Sequence, residues 1–372
     1  MTESTDPSTL TVLVLALTFG LSALFGAIAR HTHFCTMGAI SDVVVMGDWT
    51  RMRQWALALA VSILGFGLLS GLGLIRADDA LYASRRWTWL SALCGGMLFG
   101  FGMVLSSGCG NKTLVRMGGG NLKALVVFVV MAVAAFATLK GLTAVWRTNT
   151  VDLVYYEFDG ILTLPSIGSK WIGQSFSSTA LWLSVILSLA LACWVFARKD
   201  FRAPRNLIAG LGLGGVIAAM WGVSGGLGYL PEHPSTLEPT YLATNSGRME
   251  ALTFTAPMAY AIDWLMFYSD ANKRLTMAVV SVAGVVFGAA VHALATRQFR
   301  WEGFRTTQDL GNHLVGAVLM GVGGVTAMGC TVGHGLSGLS VLSVNSLTAI
   351  ASIVAGAWFA LKVQLWRLER ST

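Results

Sequence analysis

Three stretches, 10-LTVLVLALTFGLSALFGAIA-29, 55-WALALAVSILGFGLLSGLGLI-75 and 121-NLKALVVFVVMAVAAFATLK-140, limit what this chain can become. Each is close to the roughly 20 apolar residues that cross a bilayer as a helix. Only 12% of the 372 residues are charged, about half the fraction typical of soluble domains, and 55% are hydrophobic. There is too little polar surface to cover so much apolar surface in water. The chain reads as an all-α integral membrane protein with about nine transmembrane helices. These fall near 9–30, 54–75, 87–107, 121–144, 176–197, 206–222, 275–296, 309–328 and 344–366.

The net charge of +7 does not point to nucleic acid. The basic residues gather between spans, in 198-RKDFRAPR-205, 297-RQFRWEGFR-305 and 366-WRLER-370, as the positive-inside rule requires of cytoplasmic loops. MTESTDPSTL lacks the basic start of a signal peptide. The first span is therefore expected to be retained, in a bacterial-type inner (cytoplasmic) membrane. Five cysteines without a CxxC pair make neither a disulfide framework nor a zinc site, so no metal or cofactor is expected.

Four apolar or semi-apolar pieces are too short or too polar to span alone: 33-HFCTMGAISDVVVMG-47, 109-CGNKTLVRM-117, 251-ALTFTAPMAYAIDWLMF-267 and 330-CTVGHGLSGLSVL-342. They read as half-helices of re-entrant hairpins. Irregular backbone at membrane depth survives only inside protein or beside a polar cavity. The pieces also repeat. Gly95, Gly100, Gly102, Gly108 and Cys109 align with Gly316, Gly321, Gly323, Gly329 and Cys330, at an offset of 330 − 109 = 221. The same offset sets Asp42, Arg53 and Gly67 over Asp263, Arg274 and Gly288. This predicts two membrane halves, 1–144 and 176–372, joined by an external loop, 145–175, with no separate soluble domain. The loop's Trp146, Tyr155, Tyr156 and Trp171 suit a membrane interface. No Lys or Arg precedes Arg30, which sets the N-terminus outside and the C-terminus in the cytoplasm, with the halves in inverted topology. Arg76, Arg85 and Arg86 conflict with that assignment, since they fall in a loop it leaves outside.

Three half-helix sites carry a cysteine: Cys35, Cys109 and Cys330. The fourth offers Thr255 and Pro257 instead. Gly108, Gly110 and Gly329 beside the cysteines let the backbone approach a solute, and half-helix N-termini favour an anion. A thiol is a soft, polarizable, weak donor, better matched to sulfur than to an all-oxygen anion. Cys94 and Cys193 read as packing residues. Asn111 and Lys112 follow Cys109. Lys112 and Arg116 either attract anions at an inner mouth or only mark the cytoplasmic side. His334, near Ser337 and Ser340, is either a site residue or a hydrogen-bonded structural one. Asp42 and Asp48 either bind a coupling proton or cap a helix.

The run 34-FCTMGAISDVVVMGDWTRMRQWALALAVSILG-65, together with SSGCGNKTLVRMGGGNLKAL and GAVLMGVGGVTAMGCTVGHGLSGLS, resembles the YeeE/YedE family of sulfur-transport membrane proteins. The likeness covers nearly the whole chain, and 145–175 is its least characteristic part. The resemblance implies an hourglass-like helical fold and a non-enzymatic transporter of thiosulfate. Its substrate would pass by S–H···S hydrogen bonds along a cysteine relay, which falls here on Cys35, Cys109 and Cys330. Two alternatives accompany it: a selenium-compound permease, or a membrane sulfurtransferase forming a persulfide on Cys109. Any TusA-like cytosolic sulfur carrier would be a separate protein.

Overall fold

Apolar segments cut off from water satisfy their backbone by closing helical hydrogen bonds. The computed structural model, which describes residues 6–173, 175–233 and 237–371, is helical almost throughout, and its only sheets are two-stranded ribbons. Residues 1–5, 174, 234–236 and 372, which the two halves and their connector include, lie outside the described residues.

The first half runs α1 (Pro7–Thr32), α2 (Thr36–Ser41) with a π-helical turn Asp42–Met46, α3 (Thr50–Gly71), α4 (Trp89–Leu105), α5 (Gly110–Gly118) and α6 (Leu122–Lys140). The connector holds α7 (Leu142–Thr148) and α8 (Leu164–Ile172), followed by α9 (Phe176–Phe196). Then come α10 (Pro204–Leu207) and α11 (Leu213–Gly222), joined by the π-helical turn Ile208–Gly212 and extended by another at Val223–Leu227. The chain finishes with α12 (Thr255–Met266), α13 (Met277–Ala295), α14 (Thr307–Thr326), the π-helical turn Gly333–Gly338 and α15 (Val344–Ser371). All four pieces too short to span are short helices or helical turns.

Eight segments among the described residues are long and apolar enough to cross a membrane. The protein is an all-α, multi-pass integral membrane protein. α14 is twenty residues long, but Gln308, Asp309, Asn312 and His313 make its first turns polar. Lys123 answers Asp309 from α6 at 2.5 Å. Leu13, Leu17 and Leu24 on α1, Trp182, Ile186 and Leu189 on α9, and Phe287, Val291 and Leu294 on α13 are exposed. Apolar surface on this scale is a liability in water and the normal covering of a helix in lipid.

Helix starts follow local chemistry. α3 begins at Thr50, a few residues before the expected span, because Asp48 accepts from both the N–H (2.9 Å) and the hydroxyl (2.7 Å) of Thr50. Those bonds hold the Asp48 carboxyl below the usual carboxylate range. The neighbouring Asp42 pairs with Arg51 at 3.3 Å, and Asp263, its counterpart at the 221 offset, pairs with Lys273. Polar ties stitch the spans together: Gln54 donates to Asn206 at 2.8 Å, and Ser352 donates to the Ala92 carbonyl at 2.7 Å.

The packing partners recur in exchanged form. α1 lies along α13 while α11 lies along α3; α4 packs on α15 while α14 packs on α6. Between them, α4 and α14 cross through glycines. A methyl on Gly102 would fall 2.6 Å from the Gly316 carbonyl oxygen, and one on Gly323 would fall 2.6 Å from the Gly95 oxygen. No side chain larger than hydrogen fits between these backbones. The crossing fixes where the ends of α4 and α14 lie, and both ends lead directly into a cysteine.

The described part of the connector is tied to both halves. Tyr156–Glu157 pairs antiparallel with Arg86–Trp87. The Leu162 carbonyl accepts from Val344, and Leu164 donates to the Leu342 carbonyl, which ties the connector to the end of the Cys330 hairpin. Trp146 and Trp171 are exposed. Arg76 stacks over Tyr229 and Arg86 over Tyr155, each 4.7 Å from the ring centre. Arg86 also meets Glu157 at 3.5 Å.

Candidate functional site

Cys35, Cys109 and Cys330 are all buried, and one local device positions each. The long helix before the cysteine ends in a left-handed residue: His33 (φ 54°), Ser107 (φ 54°) or Met328 (φ 65°). The next N–H closes back onto the helix, Phe34 to the Ala29 carbonyl, Gly108 to Met103 and Gly329 to Gly324. This is the Schellman closure, which usually places glycine at the left-handed position. Here a non-glycine residue bears the positive φ, at a cost of about 1 kcal/mol or more. The glycines beside the cysteines were expected to allow close approach of the backbone. At Gly108 and Gly329 the close neighbours are side chains of the same segments: a methyl would lie 2.9 Å from Lys112 Cγ or from the His334 ring.

Each cysteine then opens a short helical piece. Cys35 caps α2, its Sγ accepting from Gly38 N–H at 3.4 Å. Cys109 precedes α5 with no side-chain cap bond. Cys330 Sγ accepts from Gly333 N–H at 3.4 Å and lies 3.7 Å from Thr253 Oγ1. Cys109 is within electrostatic reach of both Cys35 and Cys330. Lys112 and Arg116 act on Cys35, and Lys112, Arg51, Arg30 and Arg205 surround His33. Cys109 is thus the thiol near both of the others, and basic residues gather on the Cys35 side.

The other expected residues separate into two groups. Asn111 and Thr255 are buried, and Asn111 Oδ1 and Thr255 Oγ1 have no hydrogen-bond partner among the described residues. Gly110 packs toward Met131, Met258 and Phe254, which brings α5 against the start of α12. His334 is committed to the hairpin. Its Nε2 lies 2.6 Å from the Ala327 carbonyl and so donates to it, while Nδ1 lies 3.1 Å from Ser346 Oγ. Cys94 is half-buried in α4 and Cys193 is exposed on α9, away from the three breaks. No group of three or more His, Cys, Asp or Glu residues gathers among the described residues.

Two residues at the site carry no sequence signal. Tyr82, in the loop 80-ALYASRR-86, stacks edge-on against His334 with ring centres 5.4 Å apart. Thr253 lies just before α12 and touches Cys330. The loops 76–88 and 145–173 and Arg248 border a cavity of about 650 Å³ lined by Asp79, Arg85, Arg86, Glu157 and Arg248 among others. Both charge signs are present there.

The family profile described as sulphur transport matches residues 31–359. The chain belongs to the sulphur transport family. The span matched by the sulphur transport profile takes in all three cysteine breaks. Two thiosulfate transporters, both named TsuA, are similar along most of their length. The one from Escherichia coli K12 is 27% identical over 91% of this chain and 91% of its own. The one from Spirochaeta thermophila is 26% identical over 90% of this chain and 94% of its own. A probable transporter, YedE of Escherichia coli K12, is 30% identical over a shorter stretch, 28% of this chain and 24% of its own.

Proposed function

We propose that this sulphur transport protein carries thiosulfate across the inner membrane and hands it from Cys330 to Cys109 to Cys35. The observation that carries the reading is the set of three buried thiols, each just after a helix break, with Cys109 near the other two. An anionic terminal sulfur accepts a weak S–H hydrogen bond at each stage, and no stage binds so tightly that the ion is trapped. The similarity to proteins named thiosulfate transporters supports the substrate.

In this reading 1–144 and 176–372 are inverted-topology halves, and α9 is the extra crossing that turns the second half over. The N-terminus is then outside, the C-terminus is cytoplasmic, and the basic cluster beside Cys35 marks the inner mouth. Arg76 and Arg86, which this orientation leaves outside, pair with Tyr229, Tyr155 and Glu157.

Proteoliposomes given labelled thiosulfate test the reading, with Cys35, Cys109 and Cys330 each changed to Ala in turn. The relay requires each change to cut uptake at least tenfold; undiminished uptake in all three refutes it. The same vesicles, given selenium analogues as competitors, separate a selenium permease. Mass spectrometry after thiosulfate exposure separates a persulfide-forming sulfurtransferase, which would leave a stable mass gain on Cys109 for a TusA-like carrier to collect.

A further inference from the structure

We infer that Tyr82 and Thr253, with Cys330, form a mixed sulfur-and-oxygen recognition site that grips the sulfonate end of the anion while the thiol takes its terminal sulfur. The inference rests on the thiosulfate reading above and deepens it. Tyr82 is 6% exposed, and its hydroxyl, which stands beside that of Thr253, makes no well-aligned hydrogen bond among the described residues. A buried hydroxyl left in that state costs about 1–3 kcal/mol, unless a ligand supplies the partner.

That hydroxyl is aimed at the thiol's own hairpin. A methyl on Gly333 would lie 2.6 Å from Tyr82 Oη and 2.5 Å from Thr253 Oγ1, so the two hydroxyls flank one glycine three residues beyond Cys330. Thr253 Oγ1 is 3.7 Å from Cys330 Sγ. Thr253 belongs to the one short-helix entry that brings no cysteine, so a hydroxyl stands where the other three breaks have sulfur. Thiosulfate presents one soft sulfur and three oxygens on a tetrahedral centre. A thiol alone would discriminate weakly among sulfur anions, whereas hydroxyls placed for oxygen reward the anion that has both ends.

The test is the concentration dependence of labelled thiosulfate uptake into proteoliposomes by the unaltered protein, Tyr82→Phe, Thr253→Val and Thr253→Ser. Tyr82→Phe and Thr253→Val are each expected to raise KM about tenfold, equivalent to about 1.4 kcal/mol, with the maximal rate within twofold. Thr253→Ser, which restores a hydroxyl, is expected to return KM to within twofold of the unaltered protein. Unchanged KM in both Tyr82→Phe and Thr253→Val, or a fall in maximal rate alone, overturns the inference and leaves the transport reading standing. No uptake by the unaltered protein overturns the transport reading and this assignment with it.

Discussion

Replacing Gly323 with Ala tests whether the α4–α14 crossing sets the geometry of the cysteine hairpins. The added Cβ would lie 2.6 Å from both the Gly95 carbonyl oxygen and the Phe99 amide nitrogen, whereas ordinary contact begins near 3.4 Å. The shortfall is about 0.8 Å, and it falls on backbone, which cannot rotate aside as a side chain can. Overpacking of this kind costs about 1–3 kcal/mol. The better helix propensity of Ala returns about 1 kcal/mol. Because both contacts are to backbone, the upper part of the range applies, for a net loss of about 2 kcal/mol. Gly311 is a control on the same helix, since nothing lies within 4 Å of a methyl placed there. Gly311→Ala is therefore expected to be neutral or to gain up to about 1 kcal/mol. Thermal unfolding of the two purified variants in detergent should separate them, with Gly323→Ala melting roughly 3 °C lower than the unaltered protein. Uptake should fall by a larger factor than the folded fraction, because α4 and α14 each lead into a break bearing one of the proposed relay thiols. Equal melting temperatures for Gly323→Ala and Gly311→Ala would refute the reasoning.

Met328→Gly should stabilise the protein by about 1 kcal/mol, because Met328 holds φ 65° before Cys330 and glycine adopts that conformation without strain; a lower melting temperature would show that the exposed Met side chain contributes more than the backbone strain removes. Asp48→Ala should cost about 1 kcal/mol at neutral pH, by removing the acceptor at the start of α3. Asp48 has a depressed pKa, so its contribution is present above the ordinary carboxylate range and is lost as pH falls through the lowered value. The gap between variant and unaltered protein should therefore close in strong acid, and a gap that persists there would assign the effect to packing.

Much of the architecture was legible because hydrocarbon is a demanding solvent. Apolar runs of spanning length had to be helices, and every piece too short or too polar to span proved to be a short helix or helical turn. Their positions followed from Cys35, Cys109 and Cys330 standing at interruptions. Fine structure at the breaks was less legible. Gly108 and Gly329 read as places of close approach, and the left-handed turn falls one residue earlier, on Ser107 and Met328. Schellman closure is set by how the preceding helix ends, and Ser or Met at that position carries no signal of it. His334, beside two serines, admitted two readings in one dimension. Contact with Ala327 and Ser346 commits it to the hairpin.

The sequence by itself determined that this chain lives in a bilayer, where it must break its helices, and which thiols stand at the breaks. Those are properties of single segments against a uniform solvent, and hydropathy and residue type report them directly. Only the tertiary structure decided what faces what: that Thr253 meets Cys330 and that Tyr82 meets Gly333 and His334 of the same segment. Such contacts arise from the packing of distant segments around the α4–α14 crossing. No local pattern near Tyr82 or Thr253 encodes the neighbour that packing gives it.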